Sequence, residues 1–166
     1  MLKNHEIRIG LVGNPNCGKS TIFNSITGMH QKTANWSGVT IEKKEGTAHF
    51  GDYTIKVVDL PGIYSLSAYS LEEIIARNYI IHDQPDIIVN VVDAGNLERN
   101  LYLTTQLINI GVRVILVLNM YDEARACGME INTEAMGRLL GMPVVKTVGT
   151  KGEGIRDLLS MIVAVA

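Results

Sequence analysis

Apolar positions along this chain follow two rhythms that alternate. Short runs rich in β-branched residues, Ile7 to Val12, Thr54 to Val58, Ile87 to Val92, Val112 to Leu118 and Val144 to Val148, read as strands. Between them lie segments such as Leu97, Leu101, Leu107 and Ile108, spaced as one face of a helix. This alternation predicts an α/β fold in which crossover helices connect the strands of a parallel sheet. Thr40 to Phe50 and Thr54 to Val58 flank the turn pair Gly51 Asp52, which predicts a hairpin and hence one antiparallel strand at an edge. The expected sheet has about six strands.

Helix ends are marked by capping residues. A helix from Lys19 to Thr27 follows the first strand and its glycine-containing turn. Ser70 with Glu73 forms a capping box that opens a helix ending near Ile81. Asn96 is placed to cap the next helix, and Gly111 to end it in the left-handed conformation. Asn132 or Thr133 opens a helix through Leu140, closed by Gly141 and Pro143, and a last helix runs from about Gly154 to Val165.

The 166 residues fit one domain, and a globule of this size needs no disulfide or metal to fold. Aromatic residues are only 5% of the chain, so the core must be aliphatic. Cys17 and Cys127 make no disulfide framework. A net charge of -2 with a pI near 6.1 gives no basic face for nucleic acid, so neither RNA nor DNA is expected as a partner. No apolar run approaches the about 20 residues that span a bilayer, and Met1 to Glu6 lack the apolar region of a signal peptide. These readings make the cytoplasm the default location.

The chemistry is carried by three segments at strand ends. Gly13 Asn14 Pro15 Asn16 Cys17 Gly18 Lys19 Ser20 matches the phosphate loop G-x-x-x-x-G-K-S/T in full, between a strand and a helix as the motif requires. Its backbone N–H groups and the following helix N-terminus would cradle phosphate oxygens, Lys19 would add charge near the β and γ phosphates, and Ser20 a hydroxyl for Mg²⁺. Thr21 joins the nucleotide-binding set. Asp59 Leu60 Pro61 Gly62 follows a strand about 40 residues later; Asp59 would hold Mg²⁺ through water while the Gly62 N–H faces the γ-phosphate. Asn119 Met120 Tyr121 Asp122 ends another strand on the same sheet edge. Asp122 can accept hydrogen bonds from both the N1–H and the exocyclic amine of guanine, which adenine cannot present together, so GTP and GDP are favoured over ATP.

Together with Asn35 Trp36 Ser37 Gly38 Val39 Thr40, these motifs resemble the small G proteins of the translation-factor-related class. More narrowly, these residues, Glu42 to Gly46, Asp59 to Leu66 and Asn96 to Thr104 are similar to the cytosolic G domain of the prokaryotic ferrous-iron transport protein B family. The resemblance covers nearly the whole chain. It implies a three-layer P-loop NTPase fold with a mostly parallel sheet and helices on both faces, and a G domain over residues 1–166. The family's helical and membrane permease domains would lie elsewhere, with the G domain on the cytoplasmic side of the inner membrane as a slow GTP-hydrolysing switch for iron uptake. Self-association would run through the membrane domain. A GTPase of ribosome or tRNA maturation is the alternative.

The resemblance also implies residue roles. Thr40, with Gly38 and Val39 around it, corresponds to the threonine that coordinates Mg²⁺ and senses the γ-phosphate. Asn16 corresponds to the asparagine that helps bind K⁺ in potassium-stimulated members, so the candidate catalytic set is Lys19, Asn16, Thr40 and Gly62. Ile63 stands where many G proteins place a water-orienting glutamine, which implies slow hydrolysis without a side-chain base. Met120 replaces a common lysine. Thr147 Val148 Gly149 Thr150 falls where a backbone N–H meets the guanine O6; Gly149 can present that N–H but is costlier to order, which implies weak GDP binding and quick release. His5, His30, His49 and His82 have no metal-ligand spacing, and Cys17 is expected only to pack.

Overall fold

The computed structural model describes residues 5–166; the signal-peptide reading of Met1 to Asn4 lies outside them. Seven strands and six α-helices alternate: β1 (His5–Gly13), α1 (Lys19–Thr27), β2 (Gln31–Asn35), β3 (Glu42–Phe50), β4 (Tyr53–Asp59), α2 (Leu71–Asn78), β5 (Ile87–Asp93), α3 (Leu97–Ile110), β6 (Val114–Asn119), α4 (Tyr121–Ala126), α5 (Thr133–Leu140), β7 (Val144–Lys146) and α6 (Ile155–Val165). They form one sheet in the order β2-β3-β4-β1-β5-β6-β7. β1 pairs in parallel with β4 and β5, β5 with β6, and β6 with β7; β3 runs antiparallel to both β4 and β2.

The fold is the expected α/β sandwich with one strand more than the count of about six. The added strand is β2, and the antiparallel strand β3 therefore lies one place in from the edge. Gln31 to Asn35 carries no apolar alternation because four of its five residues are exposed and none meets the core. Toward the other edge, α4 is a short turn of helix after Asn119 that the sequence pattern does not predict. The helix expected to end near Ile81 is α2, which passes at Tyr79 into a π-helical turn that buries Tyr79 and Ile80.

Two apolar layers flank the sheet. Ile7, Ile9 and Leu11 of β1 face Ile22 and Phe23 of α1 and Leu158 and Ile162 of α6. Val12, Ile88 and Leu116 face Ala76 of α2 and Leu103 and Leu107 of α3, with Leu60, Ile63 and Leu66 from the loop after β4. β6 is buried at every position and β5 at all but its last, which explains their near-continuous apolar runs. The Asn96 to Asn100 segment ties α3 to the end of β5, because Asn100 accepts the Asp93 N–H at 3.2 Å and donates to the Asn96 carbonyl at 2.8 Å. Asn96 opens α3 without a side-chain cap and donates instead to Asp93 at 2.8 Å. Among the described residues no helix is long and apolar enough to cross a membrane.

Candidate functional site

The phosphate loop leaves β1 at a point where only glycine fits. A Cβ on Gly13 would stand 2.5 Å from the Val91 carbonyl oxygen and 2.8 Å from Cys17 Sγ. Gly18, at φ 84°, opens α1, and a Cβ there would meet Asn119 Nδ2 at 2.2 Å. Asn16 is exposed and also left-handed, at φ 65°, a conformation asparagine tolerates. Cys17 packs in the core as expected, and burial pushes its thiol up to about 11, so it stays protonated near neutral pH. The loop borders a cleft of about 480 Å³ lined by Asn14, Pro15, Asn16, Gly18, Lys19, Ser20 and Gly62.

The segment after β4 closes one wall of this cleft. Leu60 N–H donates to Leu11 O and Ile63 N–H to Gly13 O, both at 3.0 Å, so the chain stays laced to β1 beyond the end of β4. Gly62 lies against Pro15, where a Cβ would approach within 3.3 Å. Lys19 Nζ donates to the Asp59 carboxylate, joining the two motifs in a largely buried ion pair. Ile63 is buried among apolar residues and has no polar group to offer the cleft.

On the other side of the loop Asn119 joins three segments. Its Nδ2 donates to Cys17 O at 3.0 Å, and its Oδ1 accepts from Thr147 Oγ1 at 2.9 Å and from Gly149 N–H at 3.0 Å. The N–H that the sequence assigns to a base oxygen is thus engaged by Asn119. Gly149 has a steric role as well: a Cβ would meet Ile22 Cδ1 at 3.0 Å and Thr21 Cγ2 at 3.2 Å, so glycine lets this turn close on α1. Val148 is buried and Thr150 exposed. Met120 adopts φ 56° and its methyl lies over Gly18. Asp122 sits in the first turn of α4 with Lys151 Nζ 3.6 Å away, an exposed pair of little energetic weight. Thr147 stands in the segment read from the sequence as the base-site turn, but the bond from its hydroxyl to Asn119 is not legible there, because its neighbours look like a plain strand.

The segment carrying Thr40 stands apart from this group. β3 runs antiparallel to β4 with Lys44 opposite Asp59, so the start of β3 shares the sheet edge with the phosphate loop. Thr40 is exposed in the turn just before it, and neither it nor Gly38 and Val39 lines the cleft. Trp36 anchors the turn: its backbone N–H donates to Ile41 O at 2.9 Å, its ring meets Tyr79 edge-on at 6.0 Å, and Lys43 Nζ lies 4.7 Å above it. The structure therefore gathers the phosphate loop, Asp59, Gly62, Asn119, Met120 and Gly149 at one edge, with Asp122 beside them and Thr40 on that edge but outside the cleft.

The profile of a family described as ferrous iron transport protein B matches residues 7–162. The chain belongs to that family. It is 49% identical over 162 residues to the Fe(2+) transport protein A/Fe(2+) transporter FeoB fusion protein of Porphyromonas gingivalis, covering 97% of this chain and 19% of the relative. It is 50% identical over 157 residues to the Fe(2+) transporter FeoB of Salmonella typhimurium, covering 92% and 20%. The chain thus spans about a fifth of the length of these curated relatives. Among solved structures, the FeoB G-domain from Methanococcus jannaschii superposes with a TM-score of 0.87 at 46% identity, covering 97% of both chains. The cytosolic domain of T. maritima FeoB superposes at 0.94 in its apo form and 0.93 in its GMPPNP form, each at 42% identity; the match covers 96% and 95% of this chain and 64% and 63% of those chains. FeoB chains therefore share this fold.

Proposed function

We propose that this chain is a guanine-nucleotide switch: it binds GTP and GDP, hydrolyses GTP slowly, and in a longer protein governs ferrous iron uptake from the cytoplasmic side of the inner membrane. The observation that carries the nucleotide part is the Asn119 tie. It fixes the loop after β6 to the phosphate loop and to the turn after β7, so that a carboxylate three residues on, Asp122, reads a base whose phosphates sit on Gly13 to Ser20. The T. maritima FeoB solved in a GMPPNP form supports this use of the fold. The iron part draws on the Fe(2+) transporters that this chain matches over a fifth of their length. Ribosomal or tRNA work has no support in these relatives or in the charge of the chain.

The residues fit a hard cation. Ser20, which lines the cleft, and Asp59, paired with Lys19 beside it, would offer oxygen donors, and Thr40 on the same sheet edge would complete the set when its turn closes. Mg²⁺ bound there would neutralise charge on the phosphates. Lys19, held by Asp59 in this structure, would turn to the β and γ phosphate oxygens. Asn16, exposed at the lip of the cleft, would offer its carbonyl to K⁺. Gly62 would present its N–H to the γ-phosphate, and with Ile63 buried no side chain aims the water, so turnover is slow.

Competition between fluorescent guanine and xanthine nucleotides tests the base site: Asp122→Asn should shift preference toward xanthine by about tenfold or more. Unchanged GTP selectivity would remove Asp122 from the base site. For the cation, Asn16→Ala should abolish any acceleration of hydrolysis by K⁺ over Na⁺, and equal stimulation in the variant would dismiss that role.

A further inference from the structure

Asn14 is only 5% exposed, and among the described residues neither its Oδ1 nor its Nδ2 has a hydrogen-bond partner. Burying an unpaired carboxamide is costly, and native proteins rarely keep one without a use for it. The residues on either side of Asn14 both hold the segment after β4: Gly13 O accepts the Ile63 N–H, and Pro15 packs on Gly62. The alternation of β1 carries positions 10 and 12 to one face, and Asn14 follows directly on the end of the strand at Gly13. On that face a Cβ at Gly10 would lie 3.6 Å from Leu60 Cδ1, and Val12 packs with Leu60 and Ile63. Asn14 also borders the cleft shared by Lys19 and Gly62.

We propose that Asn14 is a positioning residue for GTP hydrolysis, its carboxamide being the hydrogen-bond partner of the Gly62–Ile63 backbone in the arrangement that segment takes around a γ-phosphate. The inference rests on the nucleotide reading above. Ile63 cannot aim a water, so the geometry of attack depends on the backbone of this segment, and that backbone needs something to hold it. In this structure the Ile63 N–H is taken by Gly13 O. Drawing Gly62 toward a phosphate would loosen that bond and bring an N–H and a carbonyl to a side chain able to accept one and donate to the other. Asn14 is then satisfied in the triphosphate state and unpaired otherwise, a differential contact that biases the segment toward the reactive arrangement.

The test compares the wild-type chain with Asn14→Leu, which keeps the shape of the side chain without hydrogen bonds, and with Asn14→Ala should the first fold poorly. Single-turnover GTP hydrolysis, steady-state kinetics, GDP and GMPPNP affinities, and melting temperature without nucleotide are measured. The expected result is a fall in kcat of about tenfold, with a loss of affinity for GMPPNP and a matching rise in KM for GTP that GDP binding does not share. The melting temperature of Asn14→Leu should not fall, since an unpaired polar group has been removed. Wild-type hydrolysis in both variants would overturn the proposal. So would equal loss of GDP and GMPPNP, which would mean damage to the loop or a water bound to Asn14 in every state. If the wild-type chain turns over no GTP, the nucleotide reading fails and this inference with it; if the variants match an active wild type, this inference alone fails.

Discussion

Asn119 shows how one side chain can set the relative placement of loops far apart in sequence. Its amide satisfies the Cys17 carbonyl, the Thr147 hydroxyl and the Gly149 N–H, all in a buried setting. Asn119→Ala would leave these groups unpaired and open a small cavity. The nucleotide-free protein should lose about 2–4 kcal/mol, read as a lower urea midpoint with an unchanged slope. A wild-type midpoint would show that the three groups find other partners. Lys19, Ser20, Asp59 and Asp122 are legible in the sequence because each occupies a fixed position in a short motif. The pairing of Asn119 with Thr147, and the buried isolation of Asn14, are not, because they depend on residues that only the folded sheet brings together. Gly149 is legible as a departure, but its reason is close packing on Ile22 and Thr21 as well as backbone entropy.

At the scale of elements, the parallel strands are legible because their apolar content is fixed by burial on both faces. β2 is not, since nothing in its side chains requires a strand; it is held by its ladder to β3, from Gln31 opposite Gly46 to Asn35 opposite Glu42. A cleft of about 650 Å³ lies between this hairpin and the α2 side of the molecule, bordered by Trp36, Lys43, Asn78 and Tyr79. An edge strand with so little buried area belongs to the low-stability end of the fold. Native-state hydrogen exchange without nucleotide should therefore find the β2 ladder amides opening well before those of β1 and β5, by about tenfold or more in rate. Equal protection would mean that the segment carrying Thr40 is as fixed as the sheet centre. Under the proposed function, the same independence would let that segment close over the cleft without disturbing the core.

For the molecule as a whole, the sequence reveals which loops gather at one edge, because strands in a parallel sheet send their carboxyl ends the same way. The strand order is not legible, since a crossover connection can pass to either side of the strands already laid down. The observed order puts the first strand of the chain in the middle of the sheet, between β4 and β5. During synthesis β1 has no neighbour on one side until Tyr53–Asp59 is made, and none on the other until Ile87–Asp93 follows. At about 5–20 residues per second, roughly 4 to 16 seconds separate the end of β1 from the end of β5. Throughout that interval the Gly13 to Ser20 loop lacks at least one of its supports, since Gly62 closes one side and Asn119, made later still, ties the other, so a nascent chain completes this cleft only after more than half of these residues have been joined.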